Sequence, residues 1–167
     1  MKLKPLELRD EWDWKPEEHY WGEDGDEIEP YFEPIFKFGP RKSYEMEQVL
    51  PGEDPENFDC DPITEASECH QCGDYKTAYK IMENILTTDL RCLDAHAHLG
   101  IWEFNHSDKH YDWSDNPIEK AKKHYEVGVK IGELSLGKGF NGLLPWGRHD
   151  NRPFLRCLVG YGLSQWR

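Results

Sequence analysis

Long apolar runs are missing from this chain of 167 residues. No stretch approaches the eighteen or so consecutive apolar residues that a membrane-crossing helix needs, and the mean hydropathy is −0.87. The start, Met1-Lys2-Leu3-Lys4-Pro5, has no apolar segment of the signal-peptide kind. A membrane is therefore not an expected partner, and the cytoplasm is the expected location. Positive charge is also scarce, with 20 Lys and Arg against 33 Asp and Glu, a net −13. A surface of that sign repels phosphate backbones, so no nucleic-acid partner is expected. The five cysteines are odd in number and show no secreted-type spacing, so they read as reduced thiols that mostly pack as small apolar residues. No P-loop, dinucleotide fingerprint or G-x-S-x-G elbow occurs. The sequence thus suggests no cofactor and no enzyme.

What is present divides unevenly. Residues 1–61 carry 19 acids and 7 bases, a net −12, which leaves −1 for residues 62–167. This acidic leader is rich in proline and aromatic residues, among them Trp12, Trp14, Tyr20, Trp21, Tyr31, Phe32, Phe36, Phe38 and Tyr44. Disordered segments are usually poor in aromatics, which favours a leader that is extended or wrapped on the body. Pro30 and Pro34 argue against a central strand in residues 28–38.

From Ile63 onward the pattern is helical and repeats. Ala66, Gly73-Asp74-Tyr75, Ala78, Leu86 and Asp89 run into Ala95 and Leu99-Gly100, and Gly100 stands 34 residues after Ala66. That is the length of a tetratricopeptide repeat, two antiparallel helices joined by a tight turn. Asp61 is suited to cap the first helix with Pro62 in its first turn, and Gly73 to end it. Tyr75, Ala78, Tyr79, Met82, Ile85 and Leu86 give the second helix one apolar face. A third helix is expected from about residue 92 to 105, and a fourth from Pro117 to Leu136. Asp150 or Asn151 is suited to cap a fifth that continues to Trp166. Ala121 follows Ala78 by 43 residues, so about nine residues are inserted in the second repeat. The expected fold is all-α: a short array of about five helices, with repeats over 62–90 and 91–136, a partial repeat over 150–167, and the acidic leader over 1–61.

Four separated motifs carry a resemblance. They are Asp54-Pro55-Glu56-Asn57-Phe58, the run from Leu90 to Gly100, His124-Tyr125-Glu126-Val127-Gly128-Val129, and Leu144-Pro145-Trp146-Gly147 followed by residues 151–156. Together, over residues 52–167, they resemble a group of uncharacterised microbial tetratricopeptide-repeat proteins. The resemblance implies an all-helical binding scaffold with no assigned activity. It also implies a longer third repeat than this sequence contains, which would leave the last helix without its partner. Concave-face positions implied by the resemblance are His70, Asp94, His98, Ile101 and Asn105, joined by Arg156 from the last helix.

Several clusters offer chemistry. Cys69-His70-Gln71-Cys72 has C-x-x-C spacing but no second pair, so Cys69 and Cys72 are weak metal candidates beside the simpler reading of Cys69 as a packing residue. His96 and His98 diverge by about 200° on a helix, so only one can face a groove. His106, Asp108, His110 and Asp112 read as a solvated loop. Arg152 and Arg156 are four apart near a helix N-terminus, suited to capture a partner's carboxylate or to anchor the acidic leader or the glycine-rich loop before them. The leading expectation is a non-enzymatic scaffold that binds a protein or peptide through a concave surface. A metal-binding or thiol-dependent regulator or enzyme using Cys60, Cys69 and Cys72 is a second reading. A homodimer through an exposed C-terminal helix is a third.

Overall fold

A computed structural model describes residues 3–15, 30, 33, 37, 39–53, 61–106 and 116–166. Among them the chain is an all-α array with one small ribbon. The ribbon pairs β1 (Leu8–Trp14) antiparallel with β2 (Arg41–Met46), in a register that slips between Asp10 and Asp13. Five helices follow: α1 (Pro62–Gln71), α2 (Tyr75–Thr88), α3 (Leu93–His106), α4 (Pro117–Leu136) and α5 (Arg152–Trp166). Residues 28–38 lie almost wholly outside the described residues, as do Cys60 and the inserted loop 107–115.

Local chemistry sets the helix ends. Asp61 accepts from the Ile63 amide at 2.8 Å and from the Thr64 hydroxyl at 2.7 Å, which holds the first turn of α1. Gly73, at φ +89°, turns the chain into α2, where Asp74 accepts from the Thr77 amide at 3.2 Å. Asn116 caps α4 by accepting from the Glu119 amide at 3.3 Å, and Gly137, at φ +71°, ends it. The expected caps of the last helix are not used as caps. A short 3-10 turn, His149–Asn151, precedes α5, and its N-cap Arg148 makes no side-chain capping bond.

The helices form hairpins, α1 on α2 and α3 on α4, and α5 lies against both α3 and α4. Ile63, Ala66, Ala78, Met82, Ile85, Leu99 and Trp102 build a core across α1, α2 and α3. Ala97, Ala121, Tyr125, Val129 and Cys157 build another across α3, α4 and α5. Tyr125 of α4 lies between Gly100 of α3 and Gly160 of α5, where a Cβ on either glycine would fall on its ring. The missing side chains let three helices close around one aromatic ring.

The described leader shares a core with the helices. Leu6 and Met46 are buried with Leu93, Ile131 and Phe154. The Leu6 amide donates to Ser135 Oγ at 2.8 Å, and β2 is flanked by Leu143, whose carbonyl accepts from the Tyr44 amide at 2.9 Å. Asn151 completes the attachment. Its Oδ1 accepts from the Met46 amide at 2.8 Å, and its Nδ2 donates to the carbonyls of Tyr44 at 3.0 Å and Pro145 at 3.2 Å. A buried amide next to an arriving strand supplies one acceptor and two donors, so Asn151 serves the leader rather than the helix end.

Candidate functional site

Parallel placement of α3 and α5 opens a cavity of about 490 Å³ between them. From α3 come Ala97, His98, Ile101, Phe104 and Asn105, at the three- and four-residue spacing of one helix face. From α5 come Arg156, Val159, Gly160 and Leu163, again on one face, while Tyr125 forms part of the floor and Trp146 stands at the rim. Of the residues expected on the concave face, His98, Ile101, Asn105 and Arg156 line this cavity. Asp94 sits beside it, accepting from Arg156 at 3.2 Å and lying 3.8 Å from His98 Nε2. Both groups approach the same Asp94 oxygen, Arg156 at 3.2 Å and His98 at 3.8 Å, so they flank one carboxylate.

The remaining expected residues lie elsewhere. His70 stacks on Trp102 with ring centroids 4.2 Å apart and meets Tyr75 edge-on at 4.9 Å, in a cluster of rings from α1, α2 and α3. Arg152 does not converge with Arg156. Its Nε donates to the Trp146 carbonyl at 3.0 Å, and its guanidinium carbon lies 5.7 Å from the centre of the Trp146 ring. The two arginines thus fix the loop before α5 and the start of α3, whereas the leader is held by Asn151 and Ser135. Trp146, Val159 and Leu163 are cavity residues that the repeat register did not supply. Val159 and Leu163 continue the face of Arg156 at helical spacing, a signal the sequence contains. Trp146 reaches the rim through an irregular loop, for which no periodic signal exists.

Electrostatics divide the two α3 histidines. His98 has its pKa lowered chiefly by burial, with Arg156 adding to the effect and Asp94 and Asp61 opposing it. His96 points the other way, 2% exposed, with Nε2 donating to the Leu90 carbonyl at 3.1 Å. Its pKa is depressed to about 4, first by burial, so the ring is neutral in the fold.

The four described cysteines are free thiols, and Cys60 lies outside the described residues. Cys69 is half-buried against the first core and Cys72 is exposed at the end of α1. Burial and then the neighbouring Asp74 and Glu65 carboxylates raise the Cys69 pKa, which disfavours the thiolate needed for redox or metal chemistry. Cys92 and Cys157 are pushed up to about 11 and about 12, mainly by burial. Among the described residues no group of three or more His, Cys, Asp or Glu side chains is arranged to hold a metal ion.

Comparison of the chain with protein-family models, curated proteins and solved structures finds no match.

Proposed function

We propose that the chain is a non-enzymatic interaction module of tetratricopeptide-repeat type, which receives a protein or peptide partner on the face formed by α3 and α5. The cavity carries this reading, because it gathers exposed apolar groups around a few polar ones. Ile101 is 43%, Trp146 54% and Val159 62% exposed, an apolar surface in a concave setting. A partner's bulky side chain placed there would be desolvated on several sides, the setting in which interfaces concentrate their energy. Site-specific photocrosslinking tests the reading. A benzophenone side chain at Ile101 should capture a discrete partner in cells, and the same group at Lys130, an exposed position on α4 outside the cavity, should not. Equal adducts from both positions, or none from either, would remove the proposal.

A homodimer is the second reading, supported by Leu158, Leu163 and Trp166, which α5 leaves exposed. Light scattering should then show a concentration-dependent mass that Trp166→Glu abolishes, and a monomer at every concentration would dismiss it.

A further inference from the structure

The cavity between α3 and α5 has a polarity that a purely apolar anchor site does not require. Among the described residues that line it, Arg156 is the one Lys, Arg, Asp or Glu. It gives one amino nitrogen to Asp94 at 3.2 Å, and among the described residues its Nε and other amino nitrogen hold no further hydrogen bond. Asp94 is not part of the lining, so the cavity meets the cation and not the acid behind it. His98 stands at the same end. Asn105 lies two helical turns further along α3, about 10 Å away at the rise of an α-helix. Between these ends the walls are Ile101, Phe104, Val159, Gly160 and Leu163. A volume of about 490 Å³ falls in the range of small-molecule sites, which bind largely through apolar walls and take orientation from a few polar groups.

We propose that this cavity binds a small amphipathic carboxylate, its acid group on Arg156 beside His98 and its bulky apolar body along Ile101, Phe104, Val159 and Leu163. Charge complementarity chooses the acid over an amine. A guanidinium with spare donors offers a carboxylate charge-assisted hydrogen bonds, whereas an ammonium group would meet like charge. The net −13 of the chain does not oppose this, because 62–167 carries only −1 of it and the leader's charge is screened over about 8 Å at physiological salt. The inference is independent of the partner reading. A small acid and a protein segment would compete for the same walls.

One apolar body with three head groups tests it on the full chain. Biphenylacetate, biphenylmethanol and biphenylmethylamine are titrated by calorimetry and followed in amide proton–nitrogen correlation spectra. The acid should bind at least tenfold more tightly than the alcohol and the amine more weakly still, with shifts centred on Ala97, Ile101, Val159, Gly160 and Leu163. Arg156→Gln should reduce the acid to the affinity of the alcohol, and Arg156→Lys should keep part of the preference. Arg156 is 45% exposed at its side chain, and so exposed an ion pair with Asp94 contributes little to stability, so the variants should stay folded. Val159→Trp, which fills the cavity from an exposed position, should remove the acid and the alcohol together. Equal affinity for acid and amine, an unaffected Arg156→Gln, unchanged binding in Val159→Trp, or no shift with any of the three compounds would each overturn the proposal.

Discussion

Replacing Asn151 with alanine should release the leader from the helical body. The side chain is fully buried and makes three hydrogen bonds, one accepted from the Met46 amide and two donated to the carbonyls of Tyr44 and Pro145. Alanine strands the Met46 amide in a buried site, and a stranded buried donor costs about 1–3 kcal/mol. Each lost carbonyl bond adds a smaller amount, because β2 and its neighbours keep their own ladder. A total of about 3 kcal/mol follows, or roughly 6–12 °C in Tm for a domain of this size. Urea unfolding followed by circular dichroism gives the free energy, and hydrogen exchange at Met46 reports on the clamp itself. Asn151→Asp sharpens the test. Its carboxylate can still accept from Met46, but above the carboxylate pKa it points a second anionic oxygen at two carbonyls, so its stability should recover in acid as the group gains a proton. A loss below about 1 kcal/mol in Asn151→Ala, or an Asn151→Asp variant with the same pH dependence as Asn151→Ala, would refute the assignment of this side chain as the clamp.

Three other outcomes follow from the same geometry. His96 is neutral in the fold with its pKa lowered to about 4, below the ordinary value of about 6.5. Its contribution is therefore complete above pH 6.5 and lost as pH falls through 4, about 3 kcal/mol in all; urea midpoints should show a shallower acid slope in His96→Leu, and an unchanged slope would contradict this. A Cβ at Gly160 falls on the Tyr125 ring whereas Gly162 faces open space. Gly160→Ala should thus lose about 1–3 kcal/mol by overpacking while Gly162→Ala gains about 0.5–1 kcal/mol of helix stability; opposite signs in thermal melts are required. Of the four described cysteines, iodoacetamide at neutral pH should label exposed Cys72 first and Cys69 slowly, with Cys92 and Cys157 protected until unfolding. Labelling of Cys69 as fast as Cys72, followed by mass spectrometry, would contradict the raised thiol.

The helices were legible where short-range chemistry decides them. Asn116-Pro117 and Gly137 bracket α4 at its observed ends, and Asp61 and Gly73 do the same for α1. The ribbon was not legible. Its strand Leu8–Trp14 is charged and joins β2 across a long interval, and such pairing leaves no local period. Asn151 read as a helix cap because asparagine before a helix usually is one. Two of its three partners, Met46 and Tyr44, lie 105 and 107 residues upstream, beyond any sequence window. The cavity was half legible: the resemblance put His98, Ile101, Asn105 and Arg156 on one concave face, but only the packing of α5 beside α3 brought Val159 and Trp146 to the same place.

The attachment of the leader also sets an order of assembly. Leu6 meets Ser135 across 129 positions and Met46 meets Asn151 across 105, whereas the helical hairpins are built from near neighbours. Local contacts form fast, and closing such long loops is delayed until they have something to close upon. At about 5–20 residues per second, a ribosome takes about 5–20 s to travel from Met46 to Asn151. Through that interval Leu6 and Met46 lack Phe154, with which they share a core. The ribbon is therefore seated late: Leu6 and Met46 are made before the helices whose Ile131 and Phe154 they pack against.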